Sequence, residues 1–211
     1  MPNSYIGVND VARKITGAYI GVNGTARKIT KAYVGDENGK AKLIYTATAP
    51  QTVITFNDII APTSWTAVTT GTKYTASNTY GTWTITASGY TGVFYCYKAF
   101  DYTSSSNWRK SNMESGEYAW VQQTFPVLIN PTTIRVRSVY ASNAKVQLLK
   151  TDDTWLDVQN LTTSGSVAWN NIDCNYNQFF KGIRVYGERY SNDYTYFGIY
   201  ECYIEKGYAI I

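Results

Sequence analysis

The chain has 211 residues, of which 20 are tyrosine, 7 phenylalanine and 6 tryptophan, while charged residues make up 16% and histidine is absent. The lack of histidine excludes Ser-His-Asp and Cys-His nucleophile pairs, imidazole acid-base chemistry and histidine ligation of zinc or iron. No apolar run approaches the roughly 18 residues of a membrane-spanning helix, so no membrane partner is expected. The N-terminal sequence MPNSYIGVND also lacks a charged start followed by an apolar run, so no secretory signal is predicted.

The net charge of +4 is confined to the first segment of the chain. Residues 1–46 hold seven basic and three acidic groups, whereas the remaining residues hold twelve of each sign. Such asymmetry is typical of two segments with different roles. Residues 46–52 are small, polar and proline-containing, as expected of a junction. We therefore predict an attachment or oligomerisation arm at 1–46 and a binding domain at 47–211.

The three cysteines are Cys96, Cys174 and Cys202. They are odd in number and contain no C-x-x-C pair, which favours neither a disulfide framework nor a thiolate zinc site. We expect buried free thiols.

The arm contains a fourteen-residue repeat. The sequence of residues 5–18 recurs at 19–32 and, with one inserted residue, at 33–43. Asn23-Gly24 and Asn38-Gly39 supply the two positive-φ residues of a type I′ turn, so each unit is predicted to be a β-hairpin.

A turn at Asn23-Gly24 pairs Val22 with Thr25 and Ile20 with Arg27. A lone two-stranded hairpin is marginal in water, so the arm is expected to be stabilised by copies of itself, most simply in a trimer, or by a docking partner. The alternative is a short β-meander packed on the following domain. The basic residues are spread evenly and match no nucleic-acid-binding motif, so no nucleic-acid partner is expected.

The tandem Tyr-Ile-Gly-Val-Asn-Gly-x-Ala-Arg-Lys-Ile units resemble repeats of virion and tail-associated proteins from phages and prophages of Gram-positive bacteria. The resemblance covers residues 4–45. It implies a virion component that is made in the bacterial cytoplasm, released by lysis, assembled with other virion or tail proteins and active at the host cell surface.

Beyond the junction, short β-branched and aromatic runs alternate with turn residues at intervals of roughly eight to twelve, which is typical of an all-β sandwich. The candidate strands are residues 82–86, 120–125, 133–139, 145–149, 182–186 and 197–204.

Four segments in this domain resemble motifs of discoidin-type domains, also called coagulation factor 5/8 C-type domains. Ala99–Trp108 is similar to the Ala-Phe-Asp-Gly-Asp-x-x-Thr-x-Trp segment, and Ala119–Phe125 to the Trp-Ile-Gln-Val-Asp-Leu strand. Leu148–Trp155 is similar to the Ser-x-Asp-Gly-x-x-Trp turn, and Ile183–Tyr186 with Ile199–Ile204 to the closing strands. The resemblance implies a galactose-binding-like jelly-roll sandwich that binds glycans or other surface ligands through loops at one end.

The same resemblance raises the question of a structural calcium, which many members hold near the positions of Asp101 and Glu201. Tyr102 and Thr103 replace the Gly and Asp of the family pattern. Losing an acidic oxygen ligand weakens a hard-cation site, so a metal-free, hydrogen-bonded loop is expected and no cofactor is predicted.

Sugar sites pair an aromatic ring with directed hydrogen bonds from Arg, Asn or Asp, and three loops have this composition. The candidate ligand-binding residues are Tyr102, Asn107 and Arg109 in the first loop, Tyr140 and Asn143 in the second, and Arg189, Tyr190, Asn192, Tyr194 and Tyr196 in the third. For the third loop, an ordinary solvated hairpin whose tyrosines cover the sandwich edge is an equal alternative. The tryptophans are expected to fill the core rather than bind ligand: Trp108, Trp120, Trp155 and Trp169.

Two carboxylate pairs, Asp152 with Asp153 and Glu114 with Glu117, have the composition of a glycosidase pair. Nothing in the sequence places either pair across a cleft, so no enzymatic activity is predicted. The leading hypothesis is a non-catalytic phage virion or tail protein that binds host-surface carbohydrate. The alternatives are a purely structural tail or decoration protein and a carbohydrate-binding module of a secreted bacterial protein.

Overall fold

A computed structural model describes the arm strands between residues 5 and 46 by their backbone, and residues 52–58, 60–103, 105–139, 141–161, 166–189 and 196–211, with 141 and 142 as backbone alone. The chain divides into two compact units, Met1–Gln51 and Thr52–Ile211. Each unit is described by itself below.

The arm consists of three antiparallel hairpins, each a separate two-stranded sheet. Their strands are β1 (Tyr5–Val8), β2 (Val11–Lys14), β3 (Tyr19–Val22), β4 (Thr25–Lys28), β5 (Lys31–Gly35) and β6 (Ala41–Thr46). Val22 pairs with Thr25 and Ile20 with Arg27, so the register predicted for the second hairpin is confirmed. The Asn-Gly turns themselves lie outside the described residues.

The described residues of the second unit form eleven strands and one short 3-10 helix. The strands are β7 (Val53–Phe56), β8 (Thr66–Thr69), β9 (Lys73–Asn78), β10 (Gly81–Ala87), β11 (Trp108–Lys110), β12 (Tyr118–Val139), β13 (Ala141–Lys150), β14 (Trp155–Asn160), β15 (Ala168–Asp173), β16 (Phe180–Arg189) and β17 (Phe197–Ile210). The 3-10 helix η1 spans Cys96–Ala99.

Strand β12 joins the two layers of the sandwich. Its first part pairs with β10 and β16 in a front sheet ordered β14-β13-β16-β12-β10-β9-β8. From Leu128 onward it pairs with β15 and β17 in a back sheet that also includes β7 and β11. The pairing register shifts between Thr124 and Ile129, beside Pro126, where the strand passes from one sheet to the other. The two runs predicted at 120–125 and 133–139 thus belong to one strand.

The core lies between these sheets, because alternate residues of each strand point inward. Val121 and Ile183 from the front sheet and Ile134 and Val136 from the back sheet are fully buried. The predicted fold class, all-β with a short hairpin arm followed by an antiparallel β-sandwich, is confirmed. The described part of the chain contains no helix of the length and hydropathy needed to cross a membrane.

The three cysteines are free thiols. Cys96 and Cys202 are buried, as expected, whereas Cys174 is half-buried. Burial raises the pKa of Cys96 to about 12 and that of Cys174 to about 11, so both stay protonated near neutral pH.

Candidate functional site

Strand pairing gathers several strand ends at one end of the sandwich. In the front sheet, Glu188 near the end of β16 pairs with Tyr118 at the start of β12 and with Ser142 at the start of β13. In the back sheet, Val139 at the end of β12 pairs with Gly198 near the start of β17. Only residue 140 separates the end of β12 from the start of β13. The paired strand ends of the front sheet and those of the back sheet therefore lie at the same end of the sandwich. We name this region the loop end, comprising the described residues 108–118, 139, 141–145, 186–189 and 196–198.

Arg109 and Tyr196, predicted from two different loops, meet at the loop end. Arg109 lies in β11, which pairs with the first three residues of β17. Its guanidinium carbon is 4.2 Å from the centre of the Tyr196 ring and 4.5 Å from the centre of the Phe94 ring. These are cation-π contacts, and they fix the orientation of the arginine.

Asn143 and Arg189 also lie at the loop end. Asn143 adopts a positive φ of 45°, and its Nδ2 donates to Oε2 of Glu188 over 3.1 Å. Arg189 Nη1 donates to the carbonyl oxygen of Met113 over 3.5 Å. The backbone of residue 189 pairs with that of Ala141, so the second and third predicted loops are neighbours.

Tyr102 and Asn107 are turned toward the interior rather than toward a ligand. Tyr102 has a φ of 56°, and its ring packs edge-on against Tyr203 at 5.4 Å. Burial of its hydroxyl, which hydrogen-bonds Gln123, raises the pKa of Tyr102 strongly. Asn107 is 7% exposed, and its Oδ1 has no hydrogen-bond partner among the described residues. The geometry therefore does not support Tyr102 as a hydrogen-bonding residue for a ligand.

The remaining candidates, Tyr140, Tyr190, Asn192 and Tyr194, lie outside the described residues. Their role in binding stays a prediction.

A cleft of about 370 Å³ opens at the loop end, on the outer face of the front sheet. The rings of Tyr118 and Tyr186 line this cleft, with centres 5.6 Å apart and planes inclined at 44°. Tyr118 is 49% exposed. The cleft is completed by Asn143, Ala144, Lys145, Asn160 and Leu161. Its volume is within the range of small-ligand sites.

The charged groups in and around the cleft form hydrogen bonds and ion pairs with neighbouring side chains. Lys145 Nζ donates to Asp157 over 2.7 Å and lies 5.3 Å from the centre of the Tyr186 ring. A hydrogen bond to Glu188 raises the pKa of the Tyr118 hydroxyl, while the bonds to Asp157 and Tyr186 raise the pKa of Lys145. The cleft therefore combines two tyrosine side chains and two asparagine amides with a balanced set of charges, and its lining is mostly polar.

Tyr118 and Tyr186 are not identified from the sequence as candidate site residues. One tryptophan that the sequence assigns to the core is also exposed in the structure. Trp108 is fully buried, but Trp169 is 42% exposed on the outer face of the back sheet, so its interpretation as a core residue is wrong. Arg135, at 4.8 Å from its ring centre, stabilises it there. Trp120 and Trp155 are half-buried. Because Tyr118 and Tyr186 lie far apart in the sequence, only the strand register brings them together.

The residues at the implied calcium position do not fit a hard cation. Asp101 accepts hydrogen bonds from the Thr103 amide at 3.1 Å and from the Ser106 hydroxyl at 2.6 Å. Glu201 Oε1 lies 3.8 Å from Nη1 of Arg137. Burial raises the pKa of both carboxyl groups. Calcium takes six to eight oxygen ligands, whereas here protein donors occupy the Asp101 carboxylate and the Arg137 guanidinium lies beside that of Glu201.

The two carboxylate pairs considered for catalysis are engaged with neighbouring groups. Asp152 accepts hydrogen bonds from the amide and hydroxyl of Thr154, and Asp153 forms an ion pair with Lys181. Glu117 forms an ion pair with Lys110 and accepts a hydrogen bond from the Glu114 amide.

The chain is similar to several solved carbohydrate-binding modules. One is chitosan-binding module 1 of a chitosanase/glucanase from Paenibacillus sp. IK-5, with 19% identity, 60% of this chain and 92% of that chain covered, and a TM-score of 0.45. Another is the family 32 module of NanJ from C. perfringens in complex with galactose, with 11% identity, 60% and 93% covered, and a TM-score of 0.47. A third is the family 32 module of AlyQ in complex with 4,5-unsaturated mannuronic acid, with 16% identity, 75% and 98% covered, and a TM-score of 0.43.

The sugars named there are ligands of those proteins. No family model matches this chain, and no curated protein matches it either.

Proposed function

We propose that this protein is a non-catalytic phage virion or tail protein that binds host cell-surface carbohydrate through the loop end. The observation that carries the proposal is that Asn143 lines a cleft with two tyrosines at the same end of the sandwich at which Arg109 stacks on Tyr196 and Arg189 hydrogen-bonds Met113. Binding residues are commonly carried on loops that a rigid scaffold positions.

The chemistry of the cleft supports a sugar ligand. A pyranose ring has apolar C–H faces, which pack on aromatic rings such as those of Tyr118 and Tyr186. Its hydroxyl groups need directed hydrogen bonds, which the side-chain amides of Asn143 and Asn160 can donate and accept. Neither ring carries a net charge, so this part of the site favours a neutral pyranose face.

The arm supports the virion part of the proposal. Its three hairpins pair strands within themselves, and two-stranded hairpins are only marginally stable alone. Assembly with copies of the chain, as a trimer, or with another virion protein supplies the burial that single hairpins lack. The protein would then act at the host cell surface as part of the particle.

Carbohydrate binding is tested by an array of bacterial polysaccharides, together with a pulldown on Gram-positive cells. The pure protein is expected to retain a subset of the polysaccharides, and Tyr118→Ala is expected to weaken that retention about tenfold. Tyr208→Ala provides a matched control, because Tyr208 is also an exposed tyrosine but pairs with Asn130 and Thr55 in the back sheet. If folded wild-type protein retains nothing on the array and on cells, the binding proposal is wrong.

The virion assignment has a separate test. Mass spectrometry of purified particles, induced from the bacterium that carries the gene, is expected to find the chain in the particle, with antibody labelling at the tail. If the chain is found in the medium without particles, a module of a secreted protein is the better description. If it is in the particle yet binds no glycan, a structural tail or decoration role follows.

A further inference from the structure

Arg109 differs from the other stacked arginines of the sandwich. Its guanidinium contacts two aromatic rings, those of Phe94 and Tyr196, yet it forms no ion pair with any carboxylate of the described residues. Its Nε is buried without a hydrogen-bond partner in the part of the chain that the structure describes. The residue as a whole is partly exposed.

The other stacked arginines, Arg135, Arg137 and Arg184, are engaged with polar partners. Arg135 lies over Trp169, with its Nη1 at 3.3 Å from Glu205 and its Nε at 3.0 Å from Asn171. Arg184 lies over Trp155, and its Nε donates to Gln147 over 2.5 Å. Stacking in those cases accompanies a structural ion pair or hydrogen bond.

A stacked guanidinium without a carboxylate partner is prepared to bind an anion. The two rings fix its orientation without cancelling its charge, since a ring contributes only its quadrupole. The parallel N–H groups of a guanidinium match a carboxylate or phosphate in a bidentate arrangement. The orientational entropy of the side chain is already lost in the unliganded protein, which favours binding.

We propose that Arg109 is the anion-binding residue of the loop end and that the glycan ligand carries a carboxylate or phosphate group. This inference rests on the proposed function, because it names the class of glycan that the same site takes. The acidic group binds the edge of the Arg109 guanidinium, while Tyr196 covers the arginine and offers ring surface beside it. A uronic acid and a polyol phosphate share this chemistry.

The test compares sugars that differ in one group. Methyl glucuronide, methyl glucoside and glycerol phosphate are titrated into the full chain labelled with nitrogen-15, and the Arg109 Nε–H resonance is followed. Methyl glucuronide or glycerol phosphate is expected to shift this resonance, and which of the two binds more tightly identifies the source of the anion. Methyl glucoside is expected to leave it unchanged.

Variants then connect this residue with the polysaccharides retained on the array. Arg109→Met is expected to lower retention of acidic polysaccharides about tenfold or more, because a hydrogen-bonded charge is lost. Arg109→Lys is expected to lower it as well, because an ammonium group lacks the planar fork. Arg135→Met is the matched control, a stacked arginine on the back sheet, and is expected to retain wild-type binding. Thermal melts establish that each variant is folded.

The outcomes separate the two proposals. If only neutral polysaccharides are retained, or if Arg109→Met retains acidic ones like the wild type, the anion inference is wrong and carbohydrate binding stands. If no polysaccharide is retained, the proposal of carbohydrate binding is wrong. The resonance titration alone then decides whether Arg109 binds an anion. An Arg109 resonance that neither methyl glucuronide nor glycerol phosphate shifts overturns it.

Discussion

Three glycines provide a graded test of the strand register that builds the loop end. A Cβ atom added to Gly207 would lie 2.5 Å from the backbone oxygen of Asn130, and one added to Gly182 would lie 2.9 Å from that of Gln123. At Gly198 the nearest atom, Cγ1 of Val139, is 3.2 Å away. None of the three glycines has a positive φ, so alanine differs from glycine at these positions mainly in the space that it needs.

The distances give the expected order of destabilisation. To reach an ordinary contact of 3.4 Å, β17 would have to move by about 0.9 Å at Gly207, which breaks ladder hydrogen bonds to β12. Overpacking costs about 1–3 kcal/mol and each lost hydrogen bond about 1 kcal/mol, so Gly207→Ala is expected to lose about 3 kcal/mol or more. Gly182→Ala falls in the range of about 1–3 kcal/mol. Gly198→Ala stays within about 1 kcal/mol, because the lower entropy of its unfolded chain offsets a small repacking.

The assay is urea denaturation followed by tryptophan fluorescence, with the free energy of unfolding obtained by linear extrapolation. The arm adds a second unit, so the same measurement on residues 52–211 is made alongside the full chain. If Gly207→Ala is no less stable than Gly198→Ala, the pairing of β12 with β17 is wrong. The position of Val139 beside Gly198 at the loop end would then be wrong as well.

Three further predictions concern other parts of the chain. In native protein at about pH 8, Cys96 and Cys202 are expected not to react with Ellman's reagent, whereas all three thiols react after unfolding; rapid native labelling of these two would contradict their burial. The ion pair with Lys110 lowers the pKa of Glu117, so Glu117→Gln is expected to lose less than about 1 kcal/mol in thermal melts at about pH 6. That loss is expected to shrink as pH falls through the lowered pKa, and a loss that grows toward acid would contradict the pair. Light scattering is expected to show an oligomer for the full chain and a monomer for residues 52–211; monomers in both cases would refute the account of the arm.

The sequence predicts those parts of the fold that depend on local chemistry. The Asn23-Gly24 turn fixes the pairing of the second hairpin, and alternation identifies β10, β13, β16 and β17. Strands β8 and β9 escape prediction, because they are rich in threonine and serine and the four residues of β8 are all exposed. Without a buried face, a strand has no hydrophobic alternation to reveal it.

The site is less predictable, because it depends on contacts between distant parts of the chain. Loop composition identifies Arg109, Asn143 and Tyr196, which the structure places at one end of the sandwich. The inward turn of Tyr102 depends on its positive φ and on its hydrogen bond with Gln123, neither of which is visible in the sequence. The cleft between Tyr118 and Tyr186 depends on the register of β12 with β16. This register cannot be predicted from the sequence, because β12 bends from one sheet into the other.

Carbohydrate binding at the loop end is tested most directly by a crystal structure of the protein in complex with the polysaccharide fragment that it retains most strongly on the array. A sugar ring is expected to pack on Tyr118 or Tyr186, and an acidic group of the ligand is expected to contact Arg109. A fragment bound to the back sheet beside Trp169, with the loop end empty, would show that the loop end is not the binding site.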